Sequence, residues 1–147
     1  MTDPEQLLRQ NNIRITALRV GVLYVLIQSL KAHTSADLET MLTGYSKRLR
    51  TDRVSLYRTL MTLTEASLVK KFIDSRGCCS YFCELSAPET GQVHFKCSQC
   101  KTIIPRPALP EPYLDTVRQY QINSIHLLAE GTCNDCQQAQ PNSPAYP

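Results

Sequence analysis

The 147-residue chain carries 16 Lys and Arg against 13 Asp and Glu, a net charge of +3, with seven cysteines and three histidines. That length makes one ordinary domain or two small ones with thin cores. The apolar run at residues 20–30 is too short to span a membrane and contains Tyr24, Gln28 and Ser29; nothing resembles a signal peptide, so a soluble cytoplasmic protein with no membrane partner is expected.

In a reducing compartment, seven cysteines point to metal ligands or redox thiols rather than a disulfide framework. Charge is unevenly placed. Residues 1–77 hold 12 Lys and Arg against 7 Asp and Glu, a balance of +5, whereas residues 78–147 hold 4 against 6, a balance of −2. A basic first half predicts a polyanion-binding module, and the slightly acidic second half a module of another kind.

In chain order, residues 5–11 read as a short helix broken at Asn11-Asn12. A second helix follows, with Thr16 as its cap and Leu18, Val22, Leu23, Leu26 and Leu30 as its apolar stripe. Ser35 is expected to cap a third, shorter helix through Leu38, Met41 and Leu42 that stops near Gly44. The fourth begins after Thr51 or Asp52, either of which can cap it, and Leu56, Leu60 and Leu63 recur at i, i+4 and i+7 on one buried face. Arg58 falls roughly opposite that face, with Ser55 and Tyr57 on its flanks. A guanidinium, a phenol and a hydroxyl turned outward suit a helix in a DNA major groove; a solvated face with one snorkelling arginine is the plainer alternative.

Residues 68–73 and 79–85 read as two strands around a turn at residues 74–77, the wing of a winged helix-turn-helix. Pro88 and Gly91 mark residues 87–91 as a linker. Beyond it, strands at residues 92–96 and 102–104, a helix at 113–120 and a strand at 122–130 are expected, with Pro105, Pro107 and Pro110 as punctuation. The tail at residues 137–147 reads as disordered. The expected fold class is α+β, with a winged-helix domain at residues 1–86 and a small α/β zinc-containing domain at 92–136.

Cys97-x-x-Cys100 and Cys133-x-x-Cys136 carry the most specific chemistry. Each pair chelates from one tight turn, and two pairs complete the four-sulfur set that structural zinc favours. The 32 intervening residues exceed a simple ribbon, so a strand-helix-strand unit closed by the ion is expected. A thioredoxin-like redox pair fits poorly, since two pairs are present and no βαβ pattern surrounds them. Cys78, Cys79 and Cys83 remain, with His33, His94 and His126; some of these could converge as a second metal site.

Six stretches, in order, resemble the ferric uptake regulator (Fur) family of bacterial metal-responsive repressors, including its zinc-responsive Zur branch, over about residues 7–136. They are Arg14-Ile15-Thr16-Ala17-Leu18-Arg19, Ala32-His33-Thr34-Ser35-Ala36-Asp37-Leu38 and Val54-Ser55-Leu56-Tyr57-Arg58-Thr59-Leu60. Glu65-Ala66-Ser67-Leu68-Val69, His94-Phe95-Lys96-Cys97-x-x-Cys100 and Gly131-Thr132-Cys133-x-x-Cys136 complete the set. The resemblance implies a homodimer that reads a palindromic duplex operator through its N-terminal winged helix and pairs through its C-terminal domain around structural zinc. By the same resemblance Tyr57 and Arg58 contact bases and backbone, Arg19 touches phosphate and Arg14 reaches toward the minor groove; Ser55 joins the DNA-binding candidates from the helix face alone.

The family's regulatory site draws on a histidine of the helical domain, a carboxylate or thiol at the end of the wing, and an H-x-H pair before the first CxxC. Here that implies His33, Cys83 or Glu84, and His94, but Gln92 replaces the first histidine of the pair. A nitrogen and sulfur set of this kind favours Zn²⁺ over Fe²⁺. Val93 and the register of His126 depart from a further site known in some members, and Lys101 replaces a glycine after the second cysteine. The leading expectation is thus a zinc-responsive repressor, not an enzyme. Alternatives are a DNA-binding relative with structural zinc only, sensing oxidation through cysteines or sensing nothing, and a zinc adaptor or thiol-redox enzyme that does not bind DNA.

Overall fold

A computed structural model of the chain describes residues 2–29, 31–49, 51–83, 93–106, 109–122, 125 and 127–139. The chain divides into two compact units, Met1–Ser86 and Ala87–Pro147. Glu84, the 87–91 segment, Gln92 and His126 lie outside the described residues, as do residues 140–147 of the tail.

The first unit contains α1 (Pro4–Gln10), α2 (Ala17–Ile27), α3 (Ser35–Tyr45) and α4 (Arg53–Glu65), followed by an antiparallel hairpin of β1 (Lys70–Ile73) and β2 (Cys79–Phe82). Each helix starts where a short polar side chain satisfies an orphan backbone N–H. Asp3 accepts from the Glu5 N–H at 3.0 Å, Thr16 from Arg19 at 3.3 Å, and Asp52, rather than Thr51, from Ser55 at 2.9 Å. The cap of α3 is Thr34 rather than Ser35. Thr34 Oγ1 accepts from the Asp37 N–H at 3.2 Å while Asp37 Oδ2 accepts from the Thr34 N–H at 2.8 Å, and this reciprocal box moves the start one residue back. The helix then runs through Gly44 to Tyr45 and equals α2 in length, 11 residues each. A glycine ends a helix by turning left-handed, and Gly44 does not.

The core of this unit is a leucine cluster. Leu8 enters from α1, Val22, Leu23 and Leu26 from α2, Leu38 and Leu42 from α3, and Leu56, Leu60 and Leu63 from α4, with Val69 beyond. Full burial of each leucine contributes about 2 kcal/mol. Leu18 lies at the rim and Val25 is buried instead. Gly21 permits close approach of α2: a β carbon there would stand 3.1 Å from Leu42 and 3.2 Å from Leu49. At the hairpin turn Asp74 Oδ1 accepts from the N–H groups of Arg76 and Cys78, both at 2.9 Å, and Gly77 takes φ +81°. His33 extends the sheet, exchanging backbone hydrogen bonds with Tyr81 at 2.9 and 2.7 Å.

In the second unit β3 (Val93–Cys97) is central. It pairs antiparallel with β4 (Ile103–Arg106) and parallel with β5 (Leu127–Gly131), and α5 (Glu111–Asp115) lies in the connection; α6 (Asn134–Ala139) closes the unit. Four boundaries differ from expectation. Strand β4 continues through Pro105, which an edge strand tolerates because its outer side needs no ladder donor. Helix α5 starts earlier, since Pro112 suits its first turn, and ends at Asp115, with residues 116–119 forming turns. Strand β5 starts only at Leu127, where it meets Val93. Residues 137–139, expected to be disordered, end α6: the Gln137 N–H donates to the Cys133 carbonyl at 2.9 Å and its side-chain amide to Thr132 at 2.7 Å.

Thr34→Ala is expected to cost the first unit about 1 kcal/mol, read as a lower midpoint in urea unfolding followed by helical circular dichroism. Thr34→Ser, which keeps a capping hydroxyl, should leave that midpoint nearly unchanged.

Candidate metal centre and nucleic-acid surface

Cysteine pairs at the ends of β3 and β5 meet because those strands are parallel and in register, Cys97 opposite Gly131. The Ser98 N–H donates to the Gly131 carbonyl at 2.7 Å and the Cys97 N–H to Thr102 at 3.0 Å, which folds the first pair into a tight knuckle. Lys101 closes it at φ +65°, and its ammonium donates to the Ser98 carbonyl at 2.7 Å. The sulfurs of Cys97, Cys100, Cys133 and Cys136 lie within 4.8 Å of one another. Zn–S bonds of about 2.3 Å place tetrahedral sulfurs about 3.8 Å apart, and Cys100 Sγ is 3.8 Å from Cys133 Sγ. The donor set therefore fits a four-thiolate zinc ion. Among the described residues it is the one cluster of three or more His, Cys, Asp or Glu side chains gathered as metal ligands.

Surrounding groups prepare these sulfurs unequally. Burial alone would raise the Cys97 thiol, but hydrogen bonds from the backbones of Cys133, Cys100 and Gln99 outweigh it and hold it at about 6. The Cys133 N–H lies 3.4 Å from that sulfur. Thr102, 3.1 Å from Cys100 Sγ, lowers the Cys100 thiol through its hydroxyl and then its backbone. Cys136 is pushed up to about 12, first by its hydrogen bond with Cys133 and then by burial. One sulfur is thus readily ionised and another retains its proton until a cation displaces it. Thr102 was not among the residues singled out from sequence as part of the site; a hydroxyl two residues after the second cysteine is the signal that marks it.

The expected regulatory residues belong to different units. In the first, His33 Nε2 lies 2.6 Å from Ser29 Oγ, and burial lowers the imidazole from its ordinary value, more strongly than nearby Asp37 raises it. The Cys83 thiol is buried in the leucine core and donates to the Leu68 carbonyl at 3.3 Å. In the second unit His94 is buried on β3. On α4, Tyr57 is 54% exposed and Arg58 is exposed beside it, both away from the leucine face. Ser55 is half-buried, and its hydroxyl donates to Asp52 Oδ2 at 2.6 Å, so it completes the helix cap. Arg19 Nη1 donates to the Arg14 carbonyl at 2.7 Å, which joins the two arginines at the start of α2.

No curated protein sequence matches the chain significantly. The model of the ferric uptake regulator family matches residues 10–127. The chain belongs to this family. Fur-family members are metal-responsive, DNA-binding regulators of transcription rather than enzymes. The match ends before Cys133, so the second cysteine pair is joined to the first by the tertiary structure. Solved structures share the fold at low identity. A zinc uptake regulator complexed with zinc and DNA superposes with TM-score 0.71 at 23% identity, covering 93% of this chain and 92% of that one. The Vibrio cholerae ferric uptake regulator gives 0.66 at 18%, covering 89% and 100%. The Helicobacter pylori Fur, described as having three functional metal-binding sites, gives 0.64 at 21%, covering 92% and 90%. None of the helices described is long and apolar enough to cross a membrane.

Cys133→Ser is expected to lower bound zinc well below one per chain and to unfold the second unit. Elemental analysis and the exchange protection of β3 amides check this. Retention of full zinc and protection would show that three thiols suffice.

Proposed function

We propose that this Fur-family chain is a zinc-responsive repressor that acts in the cytoplasm as a homodimer on a palindromic duplex operator. The first unit serves as the winged-helix reader, with α4 in the major groove and the β1–β2 hairpin as the wing. The second unit serves as the dimerisation domain, with structural zinc on Cys97, Cys100, Cys133 and Cys136. The observation that carries this reading is the outward face of α4, where Tyr57 and Arg58 stand exposed on a helix whose other face is locked by leucines. One short helix reads too few base pairs for useful specificity, so two-fold pairing of half-sites is needed. Exposed Tyr113, Tyr120, Ile122 and Leu127 in the second unit supply apolar surface for such pairing.

In this reading a second, exchangeable ion is the signal, bound more tightly by the DNA-competent geometry than by others. Its candidate ligands are His33, Cys83 or Glu84, and His94, with Zn²⁺ preferred over Fe²⁺. Arg14, Arg19, Tyr57 and Arg58 contact DNA directly, while Ser55 acts through the α4 cap.

Two contacts favour a second reading, in which the four-thiol site holds the only metal. The Cys83 thiol is engaged by Leu68 and the His33 ring by Ser29, so both would have to exchange partners to bind an ion. Elemental analysis after mild chelation separates the two. One retained zinc with undiminished DNA binding supports the second reading; loss of a further ion together with DNA binding supports the first, and His94→Ala should then abolish the metal response while leaving the dimer intact. Arg58→Ala is expected to weaken operator binding by about 1–3 kcal/mol and relax one base preference, measured by fluorescence anisotropy on operator and random duplexes. Equal loss on both would refute base reading by Arg58.

A further inference from the structure

We propose, resting on the reading that α4 enters duplex DNA, that Val54 discriminates a thymine from the other bases through its C5 methyl group. Val54, Tyr57 and Met61 recur at i, i+3 and i+7 along the outward face of α4 and are 58%, 54% and 43% exposed. Single exposed apolar side chains need no explanation, but a stripe on one helix face marks a contact surface. The charges around it say what covers it.

Lys47 and Arg48, in the connection from α3 to α4, are exposed and make no ion pair among the described residues. Arg53, the first residue of α4, approaches Glu39 only at 3.9 Å with its side chain in water, a contact of little strength. Besides Glu39, the nearby Asp52 accepts from the Ser55 N–H and hydroxyl and makes no ion pair among the described residues. A second copy of the chain would bring the same cations against these, and an apolar protein partner would leave them without counter-charge. A duplex offers phosphates for the cations and, in its major groove, the thymine methyl as the apolar group that distinguishes one base edge.

Val54 is the second residue of α4, in the N-terminal turn from which reading helices address base edges. Its isopropyl group has no polar atom to satisfy and little torsional freedom in a helix, so the chemical difference it can detect is a methyl against none. Met61 lies two turns further along and is not assigned this role.

The test uses the full-length, zinc-replete chain and duplexes that it selects from a random-sequence pool. Each thymine of a selected duplex is replaced in turn by deoxyuridine, which deletes the C5 methyl and leaves base pairing intact. One position per half-site is expected to bind about fourfold more weakly as uracil, the worth of one buried methyl. Val54→Ala should erase the difference at that position while sensitivity elsewhere persists. The substitution is exposed and favours helix, and circular dichroism confirms folding. The proposal is overturned if no thymine loses its effect in Val54→Ala, or if the variant changes the oligomeric state without DNA. Failure of the wild type to select any duplex would instead overturn the DNA-binding reading on which this one rests.

Discussion

Four sulfur atoms held within 4.8 Å of one another place a demand on the second unit that hydrogen bonds and apolar packing do not meet. Among its described residues the buried apolar side chains are Cys97 and Ile103, with His94 and Lys96 as buried polar neighbours. So thin a core leaves the three-stranded sheet short of hydrophobic stabilisation, and a small domain of this kind depends on a cross-link. Backbone hydrogen bonds outweigh burial to hold the Cys97 thiol at about 6, whereas the hydrogen bond with Cys133, then burial, pushes the Cys136 thiol up to about 12, so the four crowded sulfurs do not ionise alike. A divalent cation held by these four thiols would turn the crowding into a bond network between the ends of β3 and β5 and the start of α6. Structural zinc sites of this kind contribute folding energy outright.

The first unit solves its stability in the opposite way. Its helices converge on leucines that exclude water, and each helix start is satisfied by a local oxygen. With α4 anchored by Leu56, Leu60 and Leu63, its other face is free to carry side chains chosen for contact rather than for folding. Asp52 contributes twice from the same carboxylate: it caps α4 through the Ser55 N–H and holds the Ser55 hydroxyl, and those hydrogen bonds keep it ionised below its ordinary pKa.

Several elements were legible along the chain because the physics that shapes them is local. The leucine spacing of α4 identified its buried face, Thr16 its neighbour's first turn, and the two CxxC pairs their chemistry, since each depends on residues within a few positions. Boundaries set by partners were less legible. Ser35 looks as good a cap as Thr34 until Asp37 is seen to reciprocate, and Gly44 reads as a stop although its backbone never turns left-handed. Pro105 reads as a breaker until β4 proves to be an edge strand, and Gln137 reads as tail until its amide finds Thr132.

The amino-acid order alone determined the helical content of the first unit, its leucine face, the basic outward surface and the identity of the four thiols, all properties of short-range spacing. Tertiary structure alone decided that β3 and β5 run parallel in register, so that cysteines 36 positions apart share a hydrogen bond. It also decided that Cys83 turns into the leucine core and that Ser55 closes a cap instead of facing outward. These outcomes depend on which distant groups compete for the same hydrogen bond or the same buried volume, and that competition exists only once the chain has folded back on itself.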